Sequence, residues 1–398
     1  MTTVGSAPPG CTATFRRFAV IDVDTHVTEP PDTWVARMPA KWGDAIPRIE
    51  RIDGYDTWVI NGQPWAKPGN TAMAGFDGRL PDGPKTYADM HRASWDAQAR
   101  LAFMDEQGIR AQVIYPNIGG FGGGNWLRHG DPEFALDCVR AYNDFQTDFA
   151  SVAPERLLPI TSVPFWDVPT AVAEIERAVG NGHRGINFCN SPGAFDQPPL
   201  WDRHWDPIWS AARDCGVPVN FHIGGGRIGE QLGIGIEMGF RANFCRTSSM
   251  LFVDNLKCIA DLIHGGVCHR FPDVDFVSVA SGVGMIPAAL ESFDWQWRNG
   301  GVAEEHPEYA LLPSEYFRRQ IYGCFWYERD TIGPALLAYP DNMLYETDFP
   351  HPTCQHPGPK TPAVEPRTYA DAALAGLPDD VVGKVLHDTA ARLYGVPG

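Results

Sequence analysis

Two hydrophobic periods alternate along the chain. Short apolar runs that end in polar residues read as strands at 18–24 (FAVIDVD), 111–115 (AQVIY), 157–161, 184–188 (RGINF), 217–222 (VPVNFH), 274–279 (VDFVSV), 320–323 and 343–346. Helical patterns fall over 94–107, 131–150, 168–179, 207–215, 252–264, 284–297, 331–338 and 381–393. In the first of these, Ser94 is the expected N-cap and Gly108 the stop. Eight strands, mostly alternating with helices, predict a parallel α/β fold, and a (β/α)8 TIM barrel with insertions after strands one and five. The main rival is an open doubly wound sheet. No G-x-G-x-x-G follows the first strand, which weakens its dinucleotide-binding version.

Residues 30–90 break the pattern. They are rich in Pro, Gly, Asp and Trp and lack a helical period, with a small hairpin expected at 57–62 (TWVING). A barrel needs roughly 250 residues. The 398 residues here therefore predict a single barrel domain over 1–398, with 30–90 as an inserted subregion.

Composition narrows the partners. The net charge of −17 opposes binding to nucleic acid or to an anionic membrane. No window carries the roughly 18 uninterrupted apolar residues of a membrane span. The small, polar first ten residues carry no signal pattern. Nine cysteines are scattered without a C-x-x-C, which excludes a zinc ribbon or thioredoxin motif and predicts reduced thiols in the cytoplasm. A small-molecule substrate is the expected partner.

In a barrel, catalytic groups project from the C-terminal strand ends. Asp24 and His26 end strand one, and their i, i+2 spacing puts both on one face. His222 ends strand five before three glycines, and Asp348 ends strand eight in YETDFPHP. Alone, each has a plain alternative: a chance D-x-H, a satisfied core histidine, an Asx-turn before proline. Together they place a ligand type at the right end of three strands. A carboxylate and imidazole set suits zinc, iron or manganese, and Asp348 can accept a proton from metal-bound water.

The motifs D-x-D-x-H-x-x-E-P at 22–30, F-H-I-G at 221–224 and T-D-F-P-H-P at 347–352 resemble the amidohydrolase-related family, the aminocarboxymuconate-semialdehyde decarboxylase-like branch of the amidohydrolase superfamily. Ala99-Arg100-Leu101, Arg270-Phe271-Pro272-Asp273, Ser281-Gly282-Val283-Gly284 and the closing Ala390-Ala391-Arg392-Leu393-Tyr394 extend the resemblance along nearly the whole chain. The resemblance implies a metal held by Asp24, His26, His222 and Asp348, and decarboxylation, hydration or hydrolysis of a small organic acid. It also implies a homo-oligomer. Three departures stand out. The place of a catalytic strand-six histidine reads Ala280-Ser281-Gly282, Ala280 stands where close relatives often carry Glu, and Glu346 stands where they often carry Gly.

No lysine lies between Lys85 and Lys257, so a carbamylated-lysine bridge between two metals on strand four is excluded. Glu29 and His351 offer another route to a second ion, with Glu29 as a turn cap and His351 as a substrate contact the plainer reading. Zinc is expected for one ion, iron or manganese for two. Hydrolysis or non-oxidative decarboxylation is the leading expectation. A dinuclear oxygenase or a non-catalytic barrel subunit are the alternatives. Arg184 and Arg227 are weaker candidates for holding a substrate carboxylate. The run at 119–124 (GGFGGG) is either an anion cradle or a mobile loop over the mouth.

Overall fold

The computed structural model describes residues 13–226 and 236–397. β1 (Val20–His26) leads into a separate antiparallel sheet of β2 (Arg48–Ile52), β3 (Tyr55–Ile60) and β4 (Gln63–Ala66). Then follow β5 (Ile109–Tyr115), β6 (Leu157–Pro159), β7 (Thr161–Ser162), β8 (Ile186–Asn187), β9 (Val219–His222), β10 (Phe276–Val279), β11 (Ile321–Phe325) and β12 (Met343–Tyr345). β6 and β7 are one strand interrupted at Ile160: β6 pairs with β5 and β7 with β8. All these pairings are parallel, in the order β1-β5-β6 and β7-β8-β9-β10-β11-β12.

The ring closes just past β12. Thr25 and Phe349 form a parallel bridge. The Asp348 amide donates to Asp24 O at 2.9 Å and the His26 amide to Phe349 O at 2.7 Å. The (β/α)8 barrel is thus sealed by the segments that carry the candidate ligands. Its strands are buried on both faces, as a parallel sheet covered by helices must be. Ile21, Val113, Leu158, Val277 and Leu344 belong to one inner cluster with Tyr394, whose hydroxyl donates to Asn220 Oδ1 at 2.7 Å. An outer cluster holds the helix faces, among them Phe145, Ile175, Trp209 and Leu262.

The antiparallel sheet lies between β1 and β5 in the chain. Its β3–β4 turn places Asn61 and Gly62 at φ 51° and 71°, the left-handed pair that a two-residue hairpin favours. Two local expectations are corrected. Ser94 lies in a 3-10 turn, Arg92–Ser94, and the following helix, Ala97–Gln107, is capped instead by Asp96, which accepts from the Ala99 amide. A carboxylate two residues on wins because the chain is still turning at Ser94. The closing helix is interrupted by a π turn at Lys384–Asp388, where His387 Nδ1 donates to Ala19 O at 2.7 Å. Periodicity alone carries no signal for that extra residue.

His183, buried before β8, bridges elements through Thr161 Oγ1 and Thr147 Oγ1, each at 3.1 Å. Burial pushes its pKa down to about 4 from 6.5, so the folded protein holds it neutral. A folded value below the unfolded one means this stability is full above the unfolded pKa and is lost as pH falls toward the folded one. Chemical unfolding of H183N beside the parent protein should show a stability difference that shrinks by about 3 kcal/mol between pH 7.5 and 4. A difference constant across that range contradicts the assignment.

Candidate metal centre

The C-terminal ends of β1 and β9 and the turn after β12 bring four buried groups together. Asp24, His26 and His222 form one cluster whose ligand atoms lie within 4.8 Å of each other, and His26, Asp348 and His351 form a second. The first joins strand ends of remote sequence position because β9 faces β1 across the barrel.

The hydrogen bonds around the two imidazoles fix their protons. His26 Nδ1 lies 3.0 Å from Pro116 O and His222 Nδ1 2.7 Å from Ile223 O. A carbonyl only accepts, so each Nδ1 carries the hydrogen, and each ring in its neutral form presents a bare Nε2. Those two Nε2 atoms face each other at 3.2 Å. Asp24 Oδ1 sits 3.4 Å from one and 3.5 Å from the other. Neither Asp24 oxygen accepts a hydrogen bond, although the side chain is fully buried. Converging lone pairs and an unpartnered carboxylate are unstable in a low-dielectric interior without a cation among them. The residues therefore fit a divalent metal. Burial, with the nearby His351, pushes His26 down to about 4.

Asp348 completes the set from the other side. Its Oδ1 is 3.6 Å from His26 Nε2 and its Oδ2 accepts from Thr353 Oγ1. It occupies the left-handed region at φ 59°, which turns its carboxylate inward. His351 stacks on His26 with ring centroids 3.7 Å apart. Its Nδ1 meets Asp348 Oδ1 at 2.7 Å and its Nε2 meets Asn117 Oδ1, also at 2.7 Å. The Asn117 amide group donates to Val27 O, which leaves Oδ1 as the acceptor for His351.

Glu29 joins neither cluster. Its Oε1 accepts from the Asn117 and Ile118 amides at 2.9 and 3.0 Å, so it fastens the loop that carries Asn117. Arg184 is a correction. It precedes β8, with its amide on Pro159 O, and its guanidinium lies beside Gly395 at the N-terminal end of the barrel, away from the ligands. Strand polarity explains this, since a residue before a strand lies at the barrel's far end. Arg227 lies outside the described residues.

Several groups escaped the sequence reading. Asn117 stands two residues past Tyr115, the same i, i+2 spacing that singled out Asp24 and His26, and that signal was available. Arg100, fully buried, donates to His26 O at 2.6 Å, to Gln112 Oε1 at 3.3 Å and to Ala93 O. Gln112 passes the network to Asp22 at 3.1 Å, and Asp22 accepts from the Thr347 amide at 2.9 Å and from its hydroxyl. One polar chain thus ties the His26 backbone to the Asp348 segment. The two unusual positions also meet. Glu346 Oε2 accepts from the Ala280 amide at 3.1 Å, and Ala280 is left-handed at φ 57°. Glu346 thus brings a carboxylate to the end of β10, where the side chain of Ala280 supplies none.

Comparisons with known proteins agree with this architecture. A family model described as amidohydrolase matches residues 21–396. A 2-amino-3-carboxymuconate-6-semialdehyde decarboxylase of Dictyostelium discoideum is 22% identical over 347 residues, 83% of this chain and 82% of that protein. A crystal structure of an amidohydrolase from Mycobacterium avium subsp. paratuberculosis has a TM-score of 0.72 at 23% identity, covering 95% of this chain and 99% of that one. A 5-carboxyvanillate decarboxylase of Novosphingobium aromaticivorans, complexed with manganese and 4-hydroxy-3-methoxy-5-nitrobenzoic acid, has a TM-score of 0.65 at 16% identity, covering 95% and 96%.

Two outcomes follow from this geometry. Isothermal titration of D24N and H222N with manganese or zinc should show affinity reduced by about 100-fold or more, and wild-type affinity in either variant contradicts the site. R100M should lose about 3–5 kcal/mol in chemical denaturation, because three buried acceptors lose their donor. A loss under about 1 kcal/mol would show that the network is dispensable.

Proposed function

Because the chain belongs to the amidohydrolase family, we propose that it is a divalent-metal carboxy-lyase for a small, planar carboxylic acid, with Asp24, His26, His222 and Asp348 holding one ion. The observation that carries this reading is the pair of bare Nε2 atoms at 3.2 Å beside an unpartnered Asp24. Two imidazoles and two carboxylates suit zinc, manganese or ferrous iron. When bound, such an ion polarises the substrate's carboxylate or carbonyl, or lowers the pKa of water toward about 7.

The protein's own groups supply the rest. His351 Nδ1 lies 2.7 Å from Asp348 Oδ1, and Asn117 fixes the direction in which His351 points. In this reading the dyad delivers a proton to the carbon that loses carbon dioxide and takes the acid–base role that Ala280-Ser281-Gly282 does not fill. Depth supports decarboxylation over hydrolysis. The ligand groups are at most 7% exposed, and a dry site favours conversion of a charged carboxylate to neutral carbon dioxide. The relatives named as decarboxylases support the same chemistry.

A dinuclear oxygenase is the second reading, favoured by the adjoining His26, Asp348 and His351 cluster. Glu29 stands outside both clusters, which counts against it, although only its Oε1 is engaged by backbone amides and its buried Oε2 has no partner.

The test is metal analysis of protein purified without added metal, followed by a screen of hydroxybenzoate and muconate-type acids with and without oxygen. The expected result is about one divalent ion per chain and carbon dioxide release that is indifferent to oxygen. H351N should keep its metal while kcat falls by about 100-fold or more. Two redox metals with substrate-dependent oxygen uptake would replace this reading with the oxygenase, and a chain that takes up no metal would overturn both.

A further inference from the structure

Among the described residues, one ring packs on three of the candidate-site histidines. Phe121 sits at the centre of the 119–124 glycine run, its ring centroid 4.5 Å from His222, 5.2 Å from His26 and 5.4 Å from His351. Beyond it, between Asn125, Phe195 and residues 224–226, lies a cavity of about 90 Å³ that Phe121 itself lines. A pocket for a small organic ligand ordinarily measures about 300 Å³ or more. The cavity is smaller than that, and Phe121 both lines it and packs on the three histidines, while Asn117, which holds His351, lines it as well.

The loop's sequence suits a hinged ring. Gly120 and Gly123 sit at φ 80° and 75°, where residues with a Cβ are strained. Gly122 passes so close to its neighbours that an added Cβ would lie 2.9 Å from Cys189 Cα and Gly225 O. Phe121 is the one residue from 119 to 124 with a side chain, and two backbone hydrogen bonds, Gly120 N–H to Asn117 O and Gly123 N–H to Gly120 O, hold its glycine flanks. A single side chain secures the loop at this point: Asn187, at the end of β8, donates through Nδ2 to Phe121 O, while its own buried Oδ1 has no partner.

From this geometry we propose that Phe121 is the specificity-determining stopper of the ion site. Its displacement joins the outer cavity to the metal and sets the size of acid admitted, and Asn187 is the positioning residue that latches it. The inference rests on the functional reading above for the nature of what enters, but not for the obstruction itself.

The experiment therefore reads access directly. Manganese-loaded wild-type, F121A, F121L, F121W and N187A proteins are mixed with dipicolinate, and metal loss is timed. Extraction should be faster by about tenfold or more in F121A, intermediate in F121L and N187A, and no faster than wild type in F121W. In parallel, carbethoxylation of His26, His222 and His351 by diethyl pyrocarbonate, mapped by peptide mass, should accelerate in the same order. That second measurement needs no metal, so a protein that binds none sinks the functional reading while still testing the stopper. Rates in F121A and F121L within about twofold of wild type in both measurements would overturn the proposal. If F121A fails to fold, F121L and N187A decide the matter alone. For substrates that react, F121A should lower KM for bulkier acids more than for the smallest one, with kcat changed less.

Discussion

Two neutral imidazoles that point bare nitrogens at each other, 3.2 Å apart, form an arrangement that a protein interior does not tolerate unaided. Much of the local structure maintains it. Backbone carbonyls of Pro116 and Ile223 hold the two Nδ1 hydrogens, so neither ring can turn a donor toward the other. Asp24 adds a buried charge with no hydrogen-bond donor. A cation resolves all three frustrations at once, whereas a proton at one nitrogen resolves only part.

The barrel closes through the same residues. Asp348 and Phe349 are joined by backbone hydrogen bonds to Asp24 and His26. Closure of the sheet and convergence of the ligands are therefore one event. The Arg100–Gln112–Asp22–Thr347 chain reinforces it from beneath, linking β1, β5 and the turn after β12 through side chains that are all buried. A buried guanidinium is costly, and its use here makes sense where the position of the His26 backbone must be fixed.

The sequence made much of this legible, for physical reasons. Parallel strands buried on both faces appear as apolar runs, and the eight expected strands correspond to the barrel positions observed. The ligands could be read because metal sites in a barrel are built at strand ends, and Asp24, His26, His222 and Asp348 each follow an apolar run. What stayed hidden depends on the third dimension. Nothing in the run at 119–124 distinguishes an anion cradle from a ring seated on three histidines. Arg184 looked available because guanidinium chemistry ignores strand polarity, yet polarity places it at the far end. Ala280 and Glu346 read as two separate departures. In space they are one feature, a carboxylate supplied from the eighth barrel strand to the end of the sixth.

The most direct test of the central claim is anomalous diffraction from a crystal of the manganese- or zinc-loaded protein, recorded at the metal's absorption edge. The account predicts a principal peak bonded to Nε2 of both His26 and His222, at about 2.0–2.2 Å for zinc, with an Asp24 oxygen in the same shell. A fully loaded crystal with the metal elsewhere, or with the two Nε2 atoms still facing each other and no ion between them, would contradict it.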